Sequence, residues 1–139
     1  MTNMQPKILV VDVDINMLEL LSGSLTGAGY QVQTAASGEA GLEQALTFNP
    51  DLILLDLVLP KINGFNVCEK LRAQPATAIT PIIMMTTLPG RFPRLEGMVS
   101  GCDEYISKPF EVRDLLSCIG KWLHRPEQTD LIKRQPNAG

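Results

Sequence analysis

Residues 50–57 read Pro50-Asp51-Leu52-Ile53-Leu54-Leu55-Asp56-Leu57. Leu52 to Leu55 is a continuous apolar run, the texture of a strand buried on both faces of a parallel sheet. It is far too short to span a bilayer, and it ends in a carboxylate, Asp56. Two other runs share the texture: Ile8-Leu9-Val10-Val11, followed by Asp12, and Ile82-Ile83-Met84-Met85, followed by Thr86 and Thr87. Tyr30 to Ala35 and Glu104-Tyr105-Ile106-Ser107 alternate apolar and polar residues instead, as edge strands do.

Helical spacing fills the intervals. Met17, Leu18, Leu21 and Leu25 form one stripe, which Gly27 and Gly29 stop. Ser37 can cap a helix carrying Leu42, Ala45 and Leu46 that ends by Pro50. Phe65, Cys68 and Leu71 mark a third helix, and Val112, Leu115, Leu116, Ile119 and Leu123 a final one, followed by Pro126. Strand and helix thus alternate as five βα units, which predicts an α/β fold with helices on both faces of a parallel sheet. Placing the second and fifth strands at the edges leaves few orders. The familiar one is the doubly wound, flavodoxin-like (βα)5 order 2-1-3-4-5.

The chain is read as a disordered N-terminus at residues 1–6, one domain at 7–124, and a flexible tail or linker stub at 125–139. Between strands 4 and 5, Leu88-Pro89-Gly90-Arg91-Phe92-Pro93 opposes helix until Pro93. A short helix over about residues 93–100 is expected there.

The 139 residues suit one core, and the 45% hydrophobic and 19% charged content is ordinary for a globular domain. A formal net charge of −3 without a basic run gives no electrostatic footprint for nucleic acid or an anionic membrane. The polar start, Met1 to Lys7, lacks the apolar segment of a secretory signal. Cys68, Cys102 and Cys118 are odd in number and form no CxxC motif, so they read as buried thiols of a cytoplasmic protein. The single histidine, His124, lies near a helix end, where its charge suits the helix dipole.

In a sheet of this order, ligands gather outside the carboxyl ends of the strands. Those ends carry Asp12, Val13 and Asp14 after strand 1, Asp56 after strand 3, Thr86 and Thr87 after strand 4, and Lys108 and Pro109 after strand 5. Carboxylates brought close repel and raise each other's pKa, and a hard cation such as Mg²⁺ resolves the repulsion. A hydroxyl and an ammonium at the same edge suit the oxygens of a phosphoryl group.

These segments resemble the receiver domains of response regulators in two-component signalling. The likeness rests on residues 7–12 and 50–57 with Pro60 and Gly64, on Pro81 to Thr86, and on Gly101 to Phe110, ending in Ser107-Lys108-Pro109-Phe110. It covers residues 7–123 and keeps both order and spacing: Asp56 precedes Thr86 by 30 positions and Lys108 by 52. The resemblance implies a signalling domain that promotes only its own phosphorylation and dephosphorylation. Asp56 would accept a phosphoryl group from a histidine kinase or histidine phosphotransfer protein. Asp12, Asp56 and the backbone carbonyl of Val58 would hold Mg²⁺. Thr86 and Lys108 would bind the phosphoryl oxygens, Lys108 pairing with Asp56 in their absence. Tyr105 would be an aromatic switch, the Lys108–Pro109 bond would be cis, and output would run through strand 4, the helix after it and strand 5. The recipient would be a downstream protein or an output domain outside this chain, not nucleic acid or membrane directly.

Two positions depart from the pattern. The family usually has a second acid where Val13 stands, so the metal site loses an oxygen and a charge, leaving Asp14 or water to fill the gap and Mg²⁺ binding weakened. The segment 88–93 also breaks the start of the helix that normally carries the signal. Val13 supports a rival reading, a degenerate receiver that binds partners without phosphorylation. A further rival takes Asp12-Val13-Asp14 as resembling the first motif of haloacid dehalogenase-type phosphatases, with Asp12 as nucleophile. That reading leaves Asp56 unexplained.

Overall fold

A computed structural model of the protein describes residues 5–87 and 100–124. In chain order its elements are β1 (Lys7–Val11), α1 (Ile15–Gly27), β2 (Gln31–Ala35), α2 (Gly38–Phe48), β3 (Leu52–Asp56), α3 (Gly64–Arg72), β4 (Ile82–Thr86), β5 (Glu104–Ser107) and α4 (Val112–Leu123). The strands form one parallel sheet in the order β2-β1-β3-β4-β5. The apolar runs occupy its centre and the alternating strands its edges, because only a strand covered on both faces gains from being apolar at every position. Among the described residues no helix is long and apolar enough to cross a membrane.

The period of two along each central strand divides the core. Leu9, Val11, Ile53, Leu55, Ile82 and Met84 pack with Ala45 of α2 and Val67, Cys68 and Leu71 of α3. Ile8, Val10, Leu52, Leu54, Ile83 and Met85 pack with Leu18, Leu21 and Leu25 of α1 and Leu115 and Ile119 of α4. Helices therefore cover both faces.

Local chemistry sets the helix starts. Asp14, Ser37 and Asn63 cap α1, α2 and α3, each accepting backbone N–H groups that have no partner within the helix. Two boundaries differ from the sequence reading. Tyr30 precedes β2 rather than opening it, because its N–H closes the end of α1 on the Leu25 carbonyl (3.1 Å). Pro6, assigned above to a disordered terminus, is bonded to the sheet, its carbonyl accepting the Gln31 N–H (2.9 Å). The segment 88–93, the short helix expected over 93–100 (Ser100 apart) and the tail 125–139 lie outside the described residues.

The end of the sheet opposite Asp56 is tied by one guanidinium. Arg72, the last residue of α3, donates to the carbonyls of Gly101 (2.9 Å), Thr77 (3.0 Å) and Thr80 (2.7 Å) and to Asp103 Oδ2 (2.7 Å). That same Asp103 oxygen accepts the Ile82 N–H at the start of β4 (2.8 Å). One planar fork thus fixes the exit of α3, the entry of β4 and the approach to β5, a task the point charge of lysine would not reproduce. Arg72→Met keeps much of the stem and removes the donors. It is expected to lower stability by about 2–3 kcal/mol, read as a lower urea midpoint with an unchanged m-value. A loss under about 0.5 kcal/mol, the range of ordinary surface substitutions, would show that the fork is dispensable.

Candidate functional site

β1 and β3 are neighbours and parallel, so the acids that follow their apolar runs emerge at the same edge. Asp12 leaves β1 with its N–H on the Ala35 carbonyl (3.1 Å) and its side chain fully buried. Asp56 ends β3, paired in register with Met85, and is 6% exposed. Gly64 allows the chain to turn closely behind it: a Cβ at that position would stand 2.6 Å from the Asp56 carbonyl oxygen and 2.7 Å from the Leu57 Cα.

Lys108 brings the countercharge. Its N–H donates to the Thr86 carbonyl (2.7 Å), fixing the backbone beside β4, and the Lys108–Pro109 peptide is cis, as the resemblance implied. The ammonium pairs with Asp56, as the resemblance implied, at 3.6 Å from Oδ2, and lies closer still, at 2.7 Å, to Asp12 Oδ2. Asp12, which has no access to water, is the more deeply buried of the two and takes the closer contact; Asp56 Oδ1 accepts the Val58 N–H (3.3 Å). The other Asp12 oxygen, Oδ1, accepts the Asp14 N–H (2.9 Å).

Burial pushes the Asp56 carboxyl up to about 6. The Asp12 carboxylate beside it adds to the rise, and Lys108 and the Val58 N–H oppose it. Asp56 is therefore largely ionised at neutral pH, in a setting that disfavours its charge. Thr86 is fully buried at the end of β4, in register with Ser107. Tyr105 pairs with Met84 and packs, partly buried, against the cluster that contains it. Alternation along β4 puts Thr86 and Met84 on one face, so Tyr105 and Thr86 share that face.

The remaining residues at this edge have other tasks. Asp14 Oδ1 accepts the N–H groups of Asn16 (2.9 Å) and Met17 (3.4 Å), so this carboxylate caps α1. Val13 is 51% exposed. Among the described residues, no group of three or more His, Cys, Asp and Glu side chains is placed to hold a metal ion. What the edge offers is a pair of carboxylates and backbone carbonyls, a set that fits a cation such as Mg²⁺ that keeps several waters. A phosphatase reading finds no free nucleophile in Asp12, which is buried and ion-paired.

The other titratable candidates are structural. The three cysteines are free thiols, and burial raises Cys68 to about 12 and Cys102 to about 11, too high for thiolate chemistry at neutral pH. His124 caps α4, with Nε2 3.3 Å from the Tyr30 hydroxyl and the two rings stacked. Sequence reasoning placed Asp12, Asp56, Thr86 and Lys108 at one edge but missed the Lys108–Asp12 pairing and the Arg72 fork.

Comparison with known proteins agrees with this geometry. A family model described as the response regulator receiver domain matches residues 8–120. The DNA-binding dual master transcriptional regulator RpaA of Synechocystis is 42% identical over 123 residues, 88% of this chain and 51% of that protein. The chain spans about half the length of the curated relatives it matches. Among solved structures, the chemotaxis protein CheY4 of Vibrio cholerae is 34% identical with a TM-score of 0.82, covering 86% of this chain and 99% of that one. The receiver domain of the sensor histidine kinase PA1611 of Pseudomonas aeruginosa, 27% identical with a TM-score of 0.80 over 86% and 98% of the two chains, has a magnesium ion coordinated in its active-site cleft. With the sheet order, the carboxylate edge and these matches in agreement, the chain belongs to the response regulator receiver domain family of two-component systems.

Proposed function

We propose that this domain is a switch set by phosphorylation of Asp56, with a histidine kinase or histidine phosphotransfer protein as donor. The observation that carries the reading is an ionisable carboxylate at the end of a central strand, with Lys108 Nζ 3.6 Å away and a buried threonine ending the next strand. In the transfer, an Asp56 oxygen attacks phosphorus and the phosphorus–nitrogen bond of the donor breaks. The electron pair leaves with the imidazole, which takes a proton from water. Lys108 and the Thr86 hydroxyl would receive the phosphoryl oxygens. Asp12, Asp56 and the Val58 carbonyl would hold Mg²⁺, which supplies neutralising charge to those oxygens when bound. Val13 contributes no oxygen, so cation binding is weaker than a second acid would give.

Output would pass through β4, the segment after it and β5. A Thr86 side chain drawn toward the phosphoryl group vacates space on the face it shares with Tyr105, and the ring can turn into it. The modification shifts this equilibrium only by its differential affinity for the two states. The recipient would be a downstream protein or an output domain outside this chain, in a cytoplasmic setting. The exposed Val13 favours one competing reading, an interaction module that needs no phosphate.

Incubation with acetyl phosphate and Mg²⁺ is expected to add one phosphate by intact mass, and Asp56→Asn to remove it. No adduct on the unaltered protein would favour the phosphate-independent module, and an adduct that persists in the variant would place the acceptor elsewhere. The same variant tests the electrostatics. Because the Asp56 carboxyl is raised from 3.8 to about 6, the folded state holds a proton between those values that the unfolded chain has released. Its contribution to stability is greatest below pH 4 and falls as pH rises through 6. The stability of Asp56→Asn relative to the unaltered protein should therefore climb from pH 4 to 7 and then level, measured by urea unfolding without metal. A flat difference would mean the carboxyl is not desolvated. Val13→Asp adds an oxygen donor at an exposed position and is expected to tighten Mg²⁺ binding by calorimetry. Equal or weaker affinity would show that position 13 does not face the cation.

A further inference from the structure

Residues 57–64, the loop that leaves Asp56, are closed into a fixed shape. The Gly64 N–H bonds the Leu57 carbonyl (2.8 Å), and a Cβ on Gly64 would stand 2.7 Å from the Leu57 Cα. Leu57 and Leu59 are buried. Ile62 lies against the first residue of α2, where a Cβ on Gly38 would meet its Cγ2 at 2.7 Å. Asn63 caps α3. Between these anchors the chain reverses at Lys61. The Ile62 N–H bonds the Pro60 carbonyl (2.7 Å), closing a three-residue turn, and Lys61 has a φ of 68°. Glycine or asparagine takes this left-handed backbone readily, whereas lysine adopts it at a cost. Strain kept beside a reactive group directs attention to the side chain it displays. The turn itself gains nothing from a lysine; what lysine adds is charge.

Lys61 is exposed and is the one ionisable residue between Leu57 and Gly64. Five positions separate it from Asp56, so even a fully extended chain would hold its Cα within about 18 Å of the acceptor, and the closed loop brings it nearer. The surface it adjoins is acidic. Asp12, Asp14 and Asp56 stand at this edge, and the ammonium among them, that of Lys108, is largely buried and already paired with two of the three. A phosphoryl donor is itself an anion, and such an edge repels it.

We propose that Lys61 steers anionic phosphoryl donors of low molecular mass to Asp56, acting on their approach and not on the transfer. This rests on the reading of Asp56 as the acceptor. With acetyl phosphate, an Asp56 oxygen attacks phosphorus, the bond from phosphorus to the acetyl oxygen breaks, and acetate leaves with the electron pair. Lys61 takes no part in these bond changes. It is a positioning residue whose field raises the local concentration of the donor. Because the side chain is exposed, salt screens the effect.

The test measures acetyl phosphate labelling of the full chain at saturating Mg²⁺ by intact mass, at donor concentrations where the rate is proportional to donor. Lys61→Asn removes the charge and tolerates the left-handed turn, and Lys61→Arg keeps the charge. At low salt the rate constant is expected to fall about three- to tenfold in Lys61→Asn and to be retained in Lys61→Arg. The deficit should close at about 1 M salt, where the screening length is about 3 Å. It should also shrink with phosphoramidate, which carries less negative charge than acetyl phosphate at neutral pH. Equal rates for Lys61→Asn and the unaltered protein at low salt overturn the proposal. So does a deficit that persists at high salt or that Lys61→Arg shares, since the loop would then act through its shape. Lys61→Gly is the second variant, because glycine takes the turn without cost. The same salt-dependent loss in that folded chain supports steering, and a full rate overturns it. If the unaltered protein takes no label, the reading of Asp56 as acceptor falls; label that does not depend on Lys61 sinks the steering alone.

Discussion

Two carboxylates at the ends of adjacent central strands must share one ammonium. Asp12 and Asp56 are both nearly or wholly removed from water, and Lys108 stands 2.7 Å from one and 3.6 Å from the other. A single positive charge cannot satisfy two buried negative ones. The carboxyl of Asp56 is raised first by its burial and then by the Asp12 carboxylate, and Lys108 only partly opposes the rise. The fold is what enforces it. Parallel pairing of β1 with β3 sends both chain exits to the same edge, and the apolar runs behind them leave the acids no other place. Gly64 then brings the following chain so close to the Asp56 carbonyl that no Cβ fits between.

The opposite end of the sheet has the reverse character. There one guanidinium meets three carbonyls and a carboxylate, and the carboxylate also takes a strand N–H, so charge and hydrogen bonds are both satisfied. At the Asp12–Asp56 end the buried side-chain oxygens also have hydrogen-bond partners, but two carboxylates face one ammonium, so hydrogen bonding is complete while charge is not balanced. One sheet thus carries a locked end and a reactive end about five residues apart along each strand.

This division explains what could be read in the sequence. The strands, their order and the capping by Ser37 follow from short-range regularities: continuous or alternating hydrophobicity, and a small polar residue before a helical stripe. The edge that gathers Asp12, Asp56, Thr86 and Lys108 follows from strand order alone. Choices between near-equivalent partners could not be read. Whether Lys108 sits on Asp12 or Asp56 turns on about an ångström and on which carboxylate keeps some contact with water. Asp14 was read as a candidate metal ligand, and the structure uses it as the cap of α1, accepting the N–H groups of Asn16 and Met17 that start the helix. The role of Arg72 was hidden because its four acceptors come from two separate stretches of chain, residues 77–80 and 101–103, and carbonyl acceptors have no side-chain signature.

Lys108 joins the two. Its ammonium lies 2.7 Å from Asp12, and its backbone is pinned to the carbonyl of Thr86 (2.7 Å). The anchor fixes the chain beyond β5 independently of which carboxylate the ammonium lies closer to, because the flexible stem carries that difference. Thr86 ends β4 fully buried, on the face against which Tyr105 packs. Charge balance and packing at this edge are in this way separable, the first set by the reach of one lysine side chain and the second by a buried threonine beside an aromatic ring.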